Sequence, residues 1–265
     1  MTDPVEDIPL PGGDGRPRIL CTNDDGIHAT GLEALIRVAR RLGRVRVVAP
    51  DRQQSASSHS LTLHRPLRIT STGEETWVVD GTPTDCVLLA VSQMYDEPPH
   101  LVLSGVNHGP NMGEDVLYSG TVAAAMEATI LGIPAVALSF TGEDETLLAT
   151  YEDVLATLLG GLLSRGDFPA ETFFNVNLPD RPAADAAGVR VTSLGRRVYL
   201  DSLTRSEDPR GREYYWIGGG ESRWRGRDDS DFRAVQAGFV SLTPLQLDLT
   251  QFDLMEEVRG WDLGL

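Results

Sequence analysis

The chain contains no lysine: all 23 of its basic residues are arginine, against 39 acidic ones, for a net charge of −16. A Walker-type phosphate loop and a Schiff-base catalyst both need a lysine, so both are excluded. A non-specific duplex-binding face is argued against as well, because so acidic a chain assembles no basic stripe without strong local segregation. The acidity repels anionic substrates at long range, so a phosphate ligand here needs a local counter-charge such as a metal. Cysteine is scarce. Cys21 and Cys86 make no ligand spacing, and two buried thiols in a reducing cytoplasm are the plain expectation. No apolar run approaches the ~20 residues needed to span a bilayer. Residues 1–16 are acidic and rich in Pro and Gly. They lack the basic and apolar segments of a secretory signal and read as a flexible arm. Internal repeats and low-complexity tracts are missing too. What remains is an ordinary globular composition, 41% hydrophobic and 23% charged, consistent with a real core.

Against that background one feature stands out. The apolar run at 18–22 stops in Asn23-Asp24-Asp25-Gly26. Two adjacent carboxylates at the end of a buried strand repel each other and resist losing water. A hard divalent cation removes both costs, since such ions take oxygen ligands. A solvated turn that merely ends the strand is the competing reading.

The flanking pattern gives the pair a setting. Strand-like runs at 45–50, 101–104, 135–139 and 172–177 alternate with helical periodicity at 31–41, 86–94, 122–131 and 147–163. Thr82-Pro83-Thr84-Asp85 reads as a capped start for the second helix. Repeated strand–helix units of this size predict an α/β fold with a doubly wound, mostly parallel, Rossmann-like sheet. In such a sheet, ligands bind at the carboxyl ends of the strands. There the polar loops gather: Asn23 to Asp25, then Asp51 to Ser60, then Ser104 to Asn111, then Tyr118-Ser119-Gly120-Thr121. Carboxylates, a serine hydroxyl and an asparagine oxygen make a mixed shell for a hard cation. Ser119 to Thr121, at a helix N-terminus, offers free N–H groups to an anion. Arg52 is a candidate for charge stabilisation, with a salt bridge to a neighbouring carboxylate at least as good a reading. His59 and His108 are candidate proton donors beside the site. Glu127 is read as either a partner to a site residue or a surface group, and Glu114 and Asp115 as solvated loop charges.

After about residue 180 the composition changes to Gly, Pro, Arg and Asp, with the aromatic cluster Tyr214-Tyr215-Trp216. This segment is not expected to extend a parallel sheet; a β-hairpin projection is. Residues 240–242 read as a final strand, and the apolar residues of the tail as a docking surface. The expected organisation is an arm at 1–16, a catalytic core at 17–180, and a hairpin projection and tail at 181–265 for oligomerisation, with one strand returning to the core.

Four motifs in order carry a family resemblance: Asn23-Asp24-Asp25-Gly26; Ala49-Pro50-Asp51-Arg52 with Ser55; Ser104-Gly105-Val106-Asn107-His108-Gly109-Pro110-Asn111; and Tyr118-Ser119-Gly120-Thr121 running to Glu127. The chain resembles the SurE family of survival-protein nucleotidases from about residue 18 to about residue 250. The resemblance implies a cytoplasmic, metal-dependent phosphomonoesterase acting on nucleoside 5′- and often 3′-monophosphates, with short polyphosphate a substrate for some members. It implies one divalent cation per subunit, Mg²⁺ or Mn²⁺, on Asp24, Asp25, Ser55 and Asn107. It implies a phosphate pocket lined by Asn23, Asn111, Ser119, Gly120 and Thr121, and a dimer or tetramer that exchanges its C-terminal arm. Asp24 and Asp25 are the catalytic candidates, with water and an aspartate both open as nucleophile. The chain departs from the family pattern at Ala56 and Ala128, where Gly is usual, and at Ser230, where Thr is. Two rivals remain. A haloacid-dehalogenase-type enzyme fits poorly, since it uses Asp-x-Asp and usually a later Lys. A non-catalytic nucleotide- or metal-binding protein on the same fold is the other.

Overall fold

The structure, a computed structural model, describes residues 15–165, 168–199, 203–217 and 222–263. Most of the expected N-terminal arm therefore lies outside the described residues. The front half alternates as expected: β1 (Arg18–Thr22), α1 (Thr30–Leu42), β2 (Arg44–Pro50), the hairpin β3 (Ile69–Gly73) and β4 (Thr76–Val79), α2 (Pro83–Gln93), β5 (Leu101–His108), α3 (Gly120–Ile130), β6 (Ala135–Phe140), α4 (Glu152–Leu163) and β7 (Thr172–Leu178). The rest comprises β8 (Val189–Val191), β9 (Arg196–Tyr199), β10 (Leu203–Glu207), β11 (Glu213–Ile217), β12 (Ser222–Arg225), α5 (Asp231–Gln236), β13 (Val240–Gln246) and α6 (Phe252–Arg259).

A nine-stranded sheet runs β3-β4-β2-β1-β5-β6-β7-β13-β8. The strands from β4 through β7 in that order are parallel to one another. The period-two alternation of each strand feeds two cores. Ile19, Cys21, Val47, Ala49, Leu101, Leu103, Val136 and Leu138 pack on one side against α1 and α4. Leu20, Val48, Val102, Ala135 and Ala137 pack on the other against α2 and α3. Strand order reverses between β1 and β5, and their carboxyl ends lie side by side at the switch point, Thr22 opposite Ser104. This is where an open α/β sheet leaves a crevice.

Local chemistry sets the helix positions. Thr82 and Asp85 form a reciprocal capping box with Pro83 in the first turn of α2, which satisfies two donors at that end. In α1, Gly31 lies so close to the end of β5 that a Cβ there would stand 1.9 Å from the Val106 carbonyl oxygen. The expected helix at 147–163 is two pieces, a 3₁₀ segment Glu145–Tyr151 followed by α4. Together they form a 19-residue helical stretch with a window of mean hydropathy 1.3, long and apolar enough by composition to cross a membrane, contrary to the reading from sequence. It lies instead against the sheet, with Leu148, Tyr151, Leu155 and Leu159 in the core and Glu152 and Asp153 paired to Arg37 and Arg41 of α1.

Two expectations need correction. The segment after 180 does contribute to the main sheet: β8 pairs parallel with β13. That is possible because β13 runs antiparallel to β7 and presents a fresh edge in the opposite direction. The edge hairpin β3–β4 was not anticipated at all. Its first strand is fully exposed and made of Ile-Thr-Ser-Thr-Gly, with no apolar alternation to read. The projection itself is two antiparallel ribbons, β9 with β12 and β10 with β11.

Candidate active site

The loop after β1 is built by Asn23. Its Oδ1 accepts from the Gly26 N–H at 3.2 Å and its Nδ2 donates to the Gly26 carbonyl at 2.9 Å. This closes the turn that displays Asp24 and Asp25. Gly26 holds φ +98°, and a Cβ there would press on the Arg52 main chain at 3.3 Å. The second loop is tied to the first through Gln54 N–H to the Asp24 carbonyl, 2.7 Å, and Ile27 N–H to the Pro50 carbonyl, 3.1 Å. Ser55, next in chain to Gln54, is exposed, and its hydroxyl accepts from Gln53 Nε2 at 2.8 Å.

Asp24 is only 4% exposed. Its carboxylate accepts the Thr121 hydroxyl. Gly120, the first residue of α3, fits against it so closely that a Cβ would lie 2.8 Å from Asp24 Cβ and 2.9 Å from both Asp24 Oδ2 and Ser57 Oγ. Burial pushes the Asp24 carboxyl up to about 6; the donors of Thr121 oppose the shift and the Asp25 charge adds to it. Asp25 is bound to the end of β5, its Oδ2 accepting the His108 N–H at 3.1 Å. Its carboxyl is also raised, by burial first, with His108 opposing and Glu145 adding. Among the described residues no Arg or His forms an ion pair with Asp24 or Asp25.

Asn107 follows the register shift in β5 that begins after Ser104. Its Nδ2 donates to the carbonyls of His108 at 3.2 Å and Gly109 at 2.7 Å, which leaves Oδ1 as the open acceptor. Two raised carboxylates without an ion pair among the described residues, an amide oxygen and a serine hydroxyl fit a hard divalent cation. Ser57 Oγ, buried without a partner beside Asp24 and Gly120, is a further polar atom at the same spot.

At the start of α3, Ser119 Oγ caps the helix by accepting the Val122 N–H at 3.1 Å. The hydroxyls of Ser119 and Thr121 thus both have protein partners. Asn111 is held from three sides. Its N–H donates to Asn177 Oδ1 at 2.9 Å, its carbonyl accepts from Asn175 and Asn177 at 2.8 and 3.0 Å, and its Nδ2 donates to Ser139 Oγ at 2.8 Å. The sequence reading missed Asn175, Asn177 and Ser139. The signal was present, since Asn175 and Asn177 alternate on an otherwise apolar buried strand.

Other candidates resolve as follows. Arg52 lies 3.8 Å from Asp51 with most of its side chain in solvent. His108 Nδ1 meets Glu145 Oε1 at 3.1 Å, at an open cavity of about 570 Å³ also lined by Thr30, Glu143 and Thr146. His59 Nε2 meets Glu127 Oε2 at 2.8 Å. Glu114 and Asp115 are not solvated loop charges. They bind Arg197 of the projection, Glu114 Oε2 through its N–H at 2.7 Å and Asp115 Oδ2 through its guanidinium at 2.6 Å. Asp231, fully buried, also escaped the sequence reading. It accepts from the N–H groups of Gly113, Gly195 and Phe232 and so joins the projection's base to the loop after β5.

The family model described as "Survival protein SurE" matches residues 19–201. A relative from Gemmatimonas aurantiaca, named 5′-nucleotidase SurE, is 57% identical over 247 residues, covering 92% of this chain and 98% of the relative. Another of that name, from Geobacter sulfurreducens, is 49% identical and covers 93% of this chain and 94% of its own. The crystal structure of the SurE protein from Aquifex aeolicus superposes with a TM-score of 0.83 at 41% identity, covering 92% of this chain and 98% of that one. The fold, the order of the motif loops and these likenesses agree: the chain belongs to the survival protein SurE family.

Proposed function

We propose that the chain is a metal-dependent 5′-nucleotidase that hydrolyses nucleoside 5′-monophosphates to nucleoside and phosphate. The observation that carries this reading is the buried Asp24, without an ion pair among the described residues, together with Asp25 at the sheet's switch point, in a chain whose relatives carry the name 5′-nucleotidase SurE. Asp24, Asp25, Ser55 and Asn107 are the residues we assign to the cation, one ion per subunit, Mg²⁺ or Mn²⁺. When bound, the ion supplies Lewis-acid neutralisation of the phosphoryl charge.

The protein's own groups do the rest. Thr121 holds Asp24 in place. Gly120 lets the N-terminus of α3 close on the carboxylate, so that the positive end of the helix faces the site. We assign the clamped Asn111 to the phosphate pocket: its bonds to Asn175 and Asn177 fix it in place, and groups fixed in advance cost no reorganisation during reaction. Asn23 acts through the turn it closes. A purely binding role on the same fold is not favoured.

We further assign the projection to self-association as a dimer or tetramer, on the exposed Tyr214, Tyr215, Trp216 and Ile217 of β11. The cytoplasm suits the two buried free thiols. Phosphate release from a panel of nucleoside monophosphates, with Mg²⁺, Mn²⁺ or EDTA, tests the function. Release that needs metal and falls at least about a thousandfold in Asp24→Asn is expected. Metal-independent release, or none with any nucleotide, overturns the reading.

A further inference from the structure

The loop carrying Ser55 is held in an unfavourable shape. Ala56 and Ser58, neither of them glycine, sit at φ +57° and +52°. Left-handed backbone at such residues persists only where surrounding contacts over-determine it. Between them, Ser57 turns a buried, unpartnered hydroxyl toward Asp24 and Gly120. Main-chain bonds from Gln54 to Asp24 and from Ser58 to Tyr118 hold the near side of the loop. On the far side, the Thr82 hydroxyl donates to the Ser60 carbonyl at 2.8 Å, and the contact to α3 is one between side chains, His59 Nε2 to Glu127 Oε2 at 2.8 Å.

Glu127 is an unusual residue for that position. It lies two turns along α3 from Gly120, in a helix whose residues are almost all buried, and is itself only 7% exposed. A carboxylate buried there needs a partner. The only one among the described residues is His59, whose own side chain is 29% exposed. The helix that abuts Asp24 through its first turn therefore also grips the loop through its second.

We propose that the His59–Glu127 pair is a latch: it holds the 51–60 loop closed over Asp24 and thereby sets how tightly the site retains its cation. We assign both as positioning residues, which takes His59 out of the proton-donor role that the sequence leaves open. The proposal rests on the cation-site reading above. Releasing the latch lets Ala56 and Ser58 relax to ordinary backbone angles, which withdraws Ser57 from Asp24 and frees the loop that carries Ser55.

The test measures Mn²⁺ affinity directly, by calorimetric titration of the purified full-length chain, beside kcat as a function of Mn²⁺. For Glu127→Ala the Kd for Mn²⁺ rises about tenfold or more, while kcat at saturating Mn²⁺ stays within about threefold. Amide exchange at Ser57 and Ser58 accelerates, and that in the core strands does not. Glu127→Gln keeps an acceptor for the histidine N–H and restores the Kd to within about threefold of wild type. His59→Ala, on the exposed loop, reproduces the loss should Glu127→Ala fail to fold. A wild-type Kd in both Glu127→Ala and His59→Ala, or a fall in kcat with Kd unmoved, overturns the latch while leaving the site intact. Failure of the wild type to bind Mn²⁺, with Asp24→Asn indistinguishable from it, overturns the cation site and the latch with it.

Discussion

The carboxyl edge of the parallel sheet and the projection after β8 err in opposite directions. At the edge, polar groups are buried without full partnership: Asp24 is 4% exposed, and the hydroxyls of Thr22, Ser57 and Ser104 find no acceptor or donor among the described residues. On the projection, apolar groups stand in water: Trp216 is 66% and Ile217 87% exposed. Each arrangement costs the isolated chain stability. The two regions are completed by different things. A small, hard, charged ligand suits the first and a large apolar surface suits the second.

Neutralising Asp24 has the largest expected effect at the sheet edge. Its folded-state carboxyl stands near 6, above its ordinary 3.8, because burial disfavours the charge. Its contribution to metal-free stability is therefore fully present below pH 3.8 and lost as pH rises through about 6. Asp24→Asn, neutral at every pH, is expected to be more stable than metal-free wild type at pH 7.5, by at most about 3 kcal/mol. The gap closes toward pH 4. Urea denaturation across that range checks it, and equal stability at pH 7.5 would remove the strain we assign to the buried carboxylate.

Gly120→Ala adds a Cβ 2.8 Å from Asp24 Cβ, so either α3 or the carboxylate shifts. We expect a loss of about 1–3 kcal/mol, as for other overpacked sites, with kcat/KM down roughly a hundredfold. On the projection the reverse pattern holds. Trp216→Ser should change the stability of the monomer by no more than about 0.5 kcal/mol, yet shift the mass seen in light scattering toward smaller species. An unchanged assembly would show that β11 is not the contacting face. The smallest effect is expected from Ala56→Gly. Relief of the left-handed backbone at φ +57° is nearly offset by glycine's greater chain entropy, for a net gain below about 1 kcal/mol in thermal denaturation.

Much of the fold was legible because its signals are local. Strands β1, β2, β5, β6 and β7 announce themselves by apolar runs, and the start of α2 by Thr82 and Asp85, three residues apart. Asp24 and Asp25 stand out in the sequence because a buried strand has little other reason to end in two charges, and the structure places both at the end of β1. The parts that were not legible depend on distance in the chain. Asn175 and Asn177 reach Asn111 across 64 and 66 residues. Arg197 reaches Asp115 across 82. The alternation on β7 marks Asn175 and Asn177 as unusual, but no neighbouring residue names the partner of either, or of Arg197. The hairpin β3–β4 escaped for a different reason: an exposed edge strand of Thr, Ser and Gly has no buried face to impose a period. Ala56 is the instructive middle case. Its departure from the usual Gly was visible, but that the position needs a positive φ was not.

The most direct test of the central claim, that a cation completes the buried carboxylates, is the melting temperature at pH 7.5 as Mn²⁺ is titrated into wild type and Asp24→Asn. The account predicts that wild type starts lower and climbs steadily with Mn²⁺ once the ion exceeds its Kd, while Asp24→Asn starts higher and stays flat. Parallel rises in the two proteins, or a flat wild type, would contradict it.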